Sequence, residues 1–404
     1  MPDGIKAAVL DQAELMGRVN DFVYTHPELG LEEHQCADYL TGVFETLGLA
    51  VERPVAGMET AFKATLEGRD KGPRVGMVLL YDAVPAVDED GAYRPNHSCG
   101  HNVISGAVTG AVAALAASSP RGQVVVMGLP GDEIGAPKVC QAGGGKALTA
   151  AAGEWDGFDA VFYAHPEFLN AVSHVSRWMD RYRLTLRHVR RFPQRGELRG
   201  SVPWTVQALL GAVRGIEETD TQEFVMIKDL RIDGDVEGEC YINAQMQVLL
   251  YGLTEEDVAG RAARLEQAVG IVSEESGIPI DLRRVGARTM GVNPNHALTS
   301  LVQEAMTETG LEVSYDPPPL PFATDFGNIS HRAPSALIGT GREGGWRFHT
   351  VEGAREFGGE DAHQVMMATA EILARSTASL WSNPDTVDRI RAEFDRKPIE
   401  GGQA

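Results

Sequence analysis

The sequence lacks any apolar run long enough to cross a bilayer, which takes roughly 20 consecutive residues. Its N-terminal segment carries charges where a secretory signal needs an uninterrupted apolar stretch. Cysteine is scarce, with four in 404 residues, too few for a disulfide framework. We therefore expect a soluble, cytoplasmic protein with reduced cysteines and no membrane partner.

Positive charge is also in short supply. The chain has 36 Lys and Arg against 57 Asp and Glu, which gives a formal net charge of −21. Such a field repels phosphates, so nucleic acid and anionic lipid are excluded as general partners. Hydrophobic residues make up 43% of the chain. That content excludes low-complexity disorder and suffices for one large core or two smaller ones.

Continuous apolar segments at 74–80, 123–128 and 159–163 read as buried strands, and helical segments separate them. A further strand at 335–339 lies between helices at 296–308 and 360–378. Buried strands that alternate with helices predict an α/β fold, a mostly parallel sheet flanked by helices.

The texture changes between these two parts. Residues 182–187 and 244–251 alternate as half-exposed strands do, and helices are predicted at 205–217 and 255–275, the second with a Thr-x-x-Asp cap at Thr254. This pattern predicts a small antiparallel sheet with two helices on one face. We therefore expect a discontinuous domain, residues 1–176 and 291–404, interrupted by an α+β lid at 177–290.

Polar residues stand where the predicted parallel strands end. Asp82, the pair Asp132-Glu133 and His165 each lie at or just past a strand's carboxyl end, the edge at which open α/β sheets place their sites. Cys99 and His101 precede an Ala- and Gly-rich helix at 104–117, and His349 follows the last strand.

These residue types suit a metal site. Cys99 and His101 are two apart, so both face the same way in an extended loop, and thiolate and imidazole suit zinc. The alternative is a buried cysteine beside a structural histidine. Adjacent carboxylates such as Asp132 and Glu133 point in opposite directions, so that one binds a metal while the other handles a proton. Alone, such a pair is more often a helix cap or a solvated pair, and a lone His165 or His349 more often structural.

Taken together, five ligands on one rim exceed the needs of one four-coordinate ion. Two ions would use Cys99, His101, Glu133, His165 and His349, polarising a carbonyl and activating water. Asp132 would then take a proton from the water and return it to a leaving nitrogen. This chemistry is amide hydrolysis. A single metal, with one of the five ligands as a spectator, is the alternative.

Six segments occur in the order typical of one known family. They are 26–33 (HPELGLEE), 81–85 (YDAVP), 99–102 (CGHN), 130–133 (PGDE), 164–166 (AHP) and 324–328 (TDFGN). The chain resembles the zinc aminoacylase, dipeptidase and carboxypeptidase family. Within it, the chain is most similar to the branch of auxin-conjugate, hippurate and p-aminobenzoyl-glutamate hydrolases and β-alanyl-lysine-type dipeptidases.

The resemblance implies a zinc-exopeptidase-like fold with a ferredoxin-like lid and a homodimer formed through that lid. It also implies two divalent ions, zinc or alternatively manganese, and a small-molecule amide or peptide-like substrate. Cys99, His101, Glu133, His165 and His349 fall on the family's metal ligands, with Cys99 as a bridge, and Asp132 falls on its general base. Asp82 and Asp325 match positions that support the ligands or form the pocket, or else cap a turn.

The chain departs from the family at the base and in the lid. The base is normally Glu, so the side chain of Asp132 is one methylene shorter. Relatives carry a lid histidine that stabilises the developing oxyanion, and here Phe192 lies near its position. His188, four residues earlier, or a cation from the basic run 187–191 are the candidate replacements.

Relatives also use a lid Asn and an Arg to bind the substrate carboxylate. Neither is evident at 235–242 or at 250–252. We therefore expect a specialised substrate without an ordinary free α-carboxylate. The predicted function is a metal-dependent amidohydrolase that cleaves an N-acyl or aminoacyl conjugate. The rival is a repurposed scaffold with changed chemistry, such as acyl transfer, elimination or isomerisation, or with binding alone.

Overall fold

The computed structural model describes residues 2–87, 90–118, 120–189, 202–216, 225–234 and 241–396. The chain divides into two compact units. Unit 1 combines the chain up to Val175 with Val292–Pro319 and the residues from Asp325 onward. Unit 2 contains Ser176–Gly291 and the short segment Leu320–Thr324.

The helices and strands follow one another along the chain in three blocks. The first block, in unit 1, contains α1 (Pro2–Leu10), α2 (Ala13–Thr25), α3 (His34–Thr46), β1 (Ala50–Glu52), β2 (Phe62–Glu67), β3 (Asp70–Leu80), α4 (His101–Ala117), β4 (Arg121–Leu129), α5 (Pro137–Ala142), α6 (Gly145–Ala151), β5 (Ala160–Pro166) and β6 (Ala171–Val172). The second, in unit 2, contains β7 (Trp178–Val189), α7 (Val202–Arg214), β8 (Val225–Gly234), β9 (Tyr241–Gly252), α8 (Glu255–Ser276) and β10 (Ile280–Arg284). The third returns to unit 1 with α9 (His296–Glu308), α10 (Phe326–Ser330), β11 (Ser335–Thr340), α11 (Val351–Phe357), α12 (Glu360–Ser382) and α13 (Pro384–Arg396).

Unit 1 is built on a seven-stranded sheet in the order β1-β2-β4-β3-β5-β11-β6. The four strands β4, β3, β5 and β11 run parallel to their neighbours, whereas β1, β2 and β6 pair antiparallel. The parallel strands are buried along their apolar stretches, as expected when helices cover both faces. The predicted mostly parallel sheet flanked by helices is confirmed.

Helix α4 packs closely against α2 and α12 because small residues line it. A Cβ on Gly110 would lie 2.3 Å from Met16 Sδ, and one on Gly106 would lie 2.3 Å from Met366 Sδ. Only glycine permits this approach of the helices. The tight packing fixes the position of the helix whose first residue is His101.

Unit 2 contains the predicted α+β insert. Its four-stranded antiparallel sheet has the order β10-β7-β9-β8, and α7 and α8 pack against it around a core that includes Leu184, Val248 and Leu265. Helix α8 begins with the predicted cap, in which Asp257 N–H donates to Thr254 Oγ1 at 3.1 Å and Thr254 N–H donates to Asp257 Oδ2 at 2.9 Å. Within the described residues, no helix of either unit combines the length and apolarity that a membrane span requires.

Candidate metal centre

The polar residues singled out in the sequence meet at one edge of the unit 1 sheet. Because β3, β4, β5 and β11 run in the same direction, their carboxyl ends lie side by side. Asp82 follows β3, Asp132 and Glu133 follow β4, and His165 is the penultimate residue of β5. The expected clustering at the sheet edge is therefore what the parallel strands produce.

Two groups of metal-type ligands form here and share one residue. Cys99, His101 and His165 make the first group, and Cys99, Glu133 and His349 make the second. Within each group the ligand atoms lie within 4.8 Å of one another. The structure thus brings together all five predicted ligands, with the Cys99 thiol common to both groups.

His101 is held by Asp82. Its Nδ1–H donates to the backbone oxygen of Asp82 at 2.8 Å, and Asp82 Oδ1 also lies 2.8 Å from Nδ1. This fixes the tautomer and leaves Nε2 as the free lone pair. That atom is buried and has no hydrogen-bond partner among the described residues. The sequence predicted an extended loop here, but Gly100, at φ +82°, is the N-cap of α4 and His101 opens the helix.

His165 is oriented in the same way. Its Nδ1 donates to the backbone oxygen of Pro166 at 2.6 Å, and its Nε2 lies 3.5 Å from Cys99 Sγ. Burial, together with nearby His101, lowers the pKa of His165 to about 3. A neutral imidazole with Nε2 turned towards a thiol is suited to binding a cation.

Glu133 and His349 form the exposed side of the centre. Glu133 N–H donates to Asp82 Oδ2 at 2.8 Å, and Glu133 Oε1 lies 3.5 Å from His349 Nε2. His349 has a left-handed backbone at φ +59°, and its N–H donates to Ser98 O at 3.0 Å. This strained conformation, held by the loop that carries Cys99, turns the half-exposed imidazole towards Glu133.

Asp132, the predicted general base, lies between the ligands and a buried lysine. Its Oδ2 is 3.4 Å from His101 Nε2, and its Oδ1 is paired with the ammonium of Lys146. Burial alone would raise the pKa of Asp132, but Lys146 and His101 outweigh burial and lower it well below the usual range. Asp132 is therefore ionised, as a proton acceptor must be.

Lys146, Tyr163 and Glu33 also support the centre, although the sequence did not single them out. Tyr163 O–H donates to Asp132 Oδ2 at 3.4 Å. Glu33, inside the 26–33 motif, is buried and its Oε1 accepts the Gly131 N–H at 2.8 Å. Gly131 immediately precedes Asp132 and has φ +71°. The glycines around these residues were the available signal, since they mark close backbone approaches.

The chemistry of the donor set fits divalent cations. Burial raises the pKa of the Cys99 thiol, and the Glu133 carboxylate raises it further. A buried thiolate beside carboxylates therefore needs a positive charge, and a cation at this place supplies one. The unpartnered Nε2 of His101 gives it a further ligand. One sulfur, three imidazoles and a carboxylate are ligands that zinc prefers.

Most of the predicted lid residues cannot be placed. Phe192, residues 190–191 and residues 235–240 lie outside the described residues, as does the side chain of His188 on β7. Arg187 is exposed on β7. The replacement for the lid histidine and the loss of the Asn and Arg therefore stay predictions.

Comparison with known proteins gives one consistent result. The Xaa-Arg dipeptidase of Mus musculus is 27% identical over 417 residues, covering 96% of this chain and 90% of the relative. A p-aminobenzoyl-glutamate hydrolase polypeptide of Escherichia coli (strain K12) is 30% identical over 162 residues, 37% of this chain and 32% of that protein.

Solved structures share the fold. The Bacillus subtilis YXEP protein, described as a dinuclear metal binding peptidase from the M20 family, superposes with a TM-score of 0.66 at 15% identity, covering 92% of this chain and 98% of that one. The aminobenzoyl-glutamate utilization protein of Klebsiella pneumoniae does so at 0.66 and 16%, with coverage of 92% and 97%. Residues 81–375 match the sequence profile of peptidase family M20/M25/M40. The chain therefore belongs to this family and is a hydrolase of amide or peptide bonds.

Proposed function

We propose that this protein is a metal-dependent amidohydrolase that cleaves the amide bond of an N-acyl or aminoacyl conjugate, with Asp132 as its general base. The observation that carries the proposal is the pair of ligand groups that share Cys99, with Asp132 beside them. Cys99, His101 and His165 would hold one divalent ion, and Cys99, Glu133 and His349 the other. We infer zinc as the metal, with manganese as the alternative.

When bound, the ions would polarise the scissile carbonyl and make water acidic enough to attack near neutral pH. The remaining work falls to the chain. Asp132 Oδ2 takes the proton from the water and returns it to the leaving nitrogen. Its low proton affinity favours the second transfer, because an aspartate that shares its carboxylate with Lys146 releases the proton readily. Asp82 keeps His101 in the tautomer that presents Nε2.

The charge of the molecule supports a choice among substrates. A net charge of −21 attracts cationic molecules and repels anionic ones. The Mus musculus relative, which the chain matches over 96% of its length, is described as an Xaa-Arg dipeptidase. We therefore place aminoacyl conjugates of basic amines first among the substrates, and we retain the prediction that an ordinary free α-carboxylate is not required.

The test combines metal content with activity. Protein purified without chelator is analysed for zinc and manganese per chain. It is then assayed for amine released from aminoacyl-arginines and aminoacyl-lysines, their carboxamides, N-acyl amino acids and p-aminobenzoyl-glutamate. We expect two ions per chain, activity that chelation abolishes, and faster turnover of conjugates of basic amines.

Two variants make the test specific. Asp132→Asn should retain both ions but lose at least about a hundredfold in kcat, because the amide cannot accept the proton. Asp156→Asn, which removes an exposed carboxylate paired with Arg332 at 2.7 Å, should behave as wild type. An Asp132→Asn protein with undiminished kcat would contradict the assignment of the base. One ion per chain would contradict the two-ion centre.

We also propose that the protein is a homodimer formed through unit 2. Light scattering after size exclusion measures the mass, and a species of 43.5 kDa, the mass of one chain, would contradict this proposal.

A further inference from the structure

Lys146 is a buried cation in unit 1 whose placement the proposed chemistry leaves unexplained. It is the second residue of α6, and its side chain is 1% exposed. Its ammonium contacts Asp132 Oδ1, lies 3.0 Å from Asp325 Oδ1, and stands 4.9 Å from the centroid of the Tyr163 ring. A charge removed from water this completely is retained only where opposite charges surround it.

Asp325 is anchored independently of the lysine. Its Oδ2 accepts the Ala147 N–H at 3.1 Å, so the carboxylate is fixed to the first turn of α6. The backbone leaves it little room, because a Cβ on Gly144 would lie 2.3 Å from the same oxygen. Asp325 therefore gives the Lys146 ammonium a fixed point, and the lysine reaches from that point to Asp132.

Helix α6 also contacts the backbone of the loop that carries Asp132. Gly145 N–H donates to Pro130 O at 3.0 Å, and a Cβ on Gly145 would lie 2.4 Å from that oxygen. The loop is thus joined to α6 twice, by the backbone bond at Pro130 and by the ion pair at Asp132. A displacement of Asp132 has to move both.

We propose that Lys146, anchored by Asp325, is a positioning residue that holds Asp132 Oδ1 and so keeps Asp132 Oδ2 directed at the ligand groups. Oδ2 is the oxygen that lies 3.4 Å from His101 Nε2. Because aspartate is one methylene shorter than glutamate, a small rotation of its side chain takes this oxygen out of reach. The proposal rests on the proposed function, in which Asp132 moves the proton.

The experiment separates holding Asp132 from balancing charge. Lys146→Met leaves two buried carboxylates without a cation, so we expect loss of thermal stability as well as of activity. Lys146→Met combined with Asp325→Asn removes one carboxylate along with the lysine and so restores the net charge. In this double variant we expect the unfolding temperature to recover towards that of wild type, while kcat stays about 10- to 100-fold low at unchanged KM and metal content.

Two further variants serve as controls. Asp325→Asn alone keeps the lysine on Asp132, and we expect its kcat to fall less than that of the double variant. Lys138→Met removes an exposed lysine of neighbouring α5, paired with Glu32 at 2.9 Å, and we expect no change in kcat, metal content or stability. If the double variant regains wild-type kcat together with its stability, Lys146 only balances charge and the proposal is overturned.

A structural readout keeps this test independent of activity. Crystal structures of wild type and of the double variant should show Asp132 Oδ2 beside His101 Nε2 in the first and turned away in the second. An unmoved Asp132 overturns the positioning role. If wild type hydrolyses none of the conjugates, the proposed function has failed, and the two structures still decide what Lys146 does.

Discussion

Glu33 is a buried carboxyl group whose conversion to an amide we expect to stabilise the protein above about pH 5. It is fully buried, its Oε1 accepts the Gly131 N–H at 2.8 Å, and its Oε2 lies 3.0 Å from Thr60 Oγ1. Burial and the nearby Asp82 raise the pKa of Glu33 to about 8. Glu33→Gln keeps both contacts, since its oxygen can face Gly131 and its amide can donate to Thr60, whose hydroxyl accepts as well as donates.

The sign follows from proton linkage. The folded protein holds the proton on Glu33 after the unfolded chain has released it, so the stabilising contribution is complete below about pH 4.5 and is lost as the pH rises to about 8. The interval between these two pKa values corresponds to roughly 5 kcal/mol as an upper bound. Gln mimics the protonated acid at every pH. The variant should therefore gain stability over wild type progressively across that interval, and most steeply near neutral pH.

The assay is urea unfolding of metal-free wild type and variant at several pH values between about 5 and 8. Glu32→Gln is the matched control, because Glu32 is an exposed neighbour that pairs with Lys138. Its difference from wild type should stay small and independent of pH. The reasoning is refuted if the difference in unfolding free energy between Glu33→Gln and wild type does not change with pH.

Three further changes have clear expected outcomes. Gly100→Ala should lower the unfolding temperature by several degrees and reduce metal content, because φ is +82° and the new Cβ would lie 2.7 Å from the Phe357 ring. Gly91→Ala, with φ +77° and open space around it, should show only the smaller backbone cost in the same scan. Asp82→Asn should weaken zinc binding about 10- to 100-fold in competition with a chelating dye, since an amide cannot face both the His101 Nδ1–H and the Glu133 N–H with an oxygen. Thr254→Ala removes the capping oxygen of α8, so it should cost about 1 kcal/mol in urea unfolding without changing metal content.

The sheet of unit 1 was predictable because its parallel strands are continuous apolar segments. That same regularity located the centre, since a residue after a buried parallel strand has to lie at one edge of the sheet. Asp82, Glu133 and His165 are of this kind. His349 is not, because a loop separates it from β11 and its left-handed backbone depends on Ser98 in a distant segment. Only the resemblance to a family pointed to it as a ligand.

Unit 2 was predicted less completely. Strands β7 and β9 and the cap of α8 have local patterns, alternation in the strands and Thr-x-x-Asp at the helix start, that require no tertiary information. Strands β8 and β10 were missed. Both are edge strands with many charged residues, so the contrast between their faces is weak, and their pairing with β9 and β7 is what defines them.

The role of Lys146 depends on an interaction that no local pattern encodes. A lysine after three glycines reads as exposed loop, because an unpaired ammonium is almost never buried. Here the glycines have the opposite meaning, since Gly144 and Gly145 allow the backbone to approach Asp325 and Pro130 so closely that the lysine is enclosed. The carboxylates that neutralise it lie 14 residues before it and 179 after it, at Asp132 and Asp325. A single sequence shows the glycines, the lysine and both aspartates, but only the fold shows that they form one unit around the proposed base.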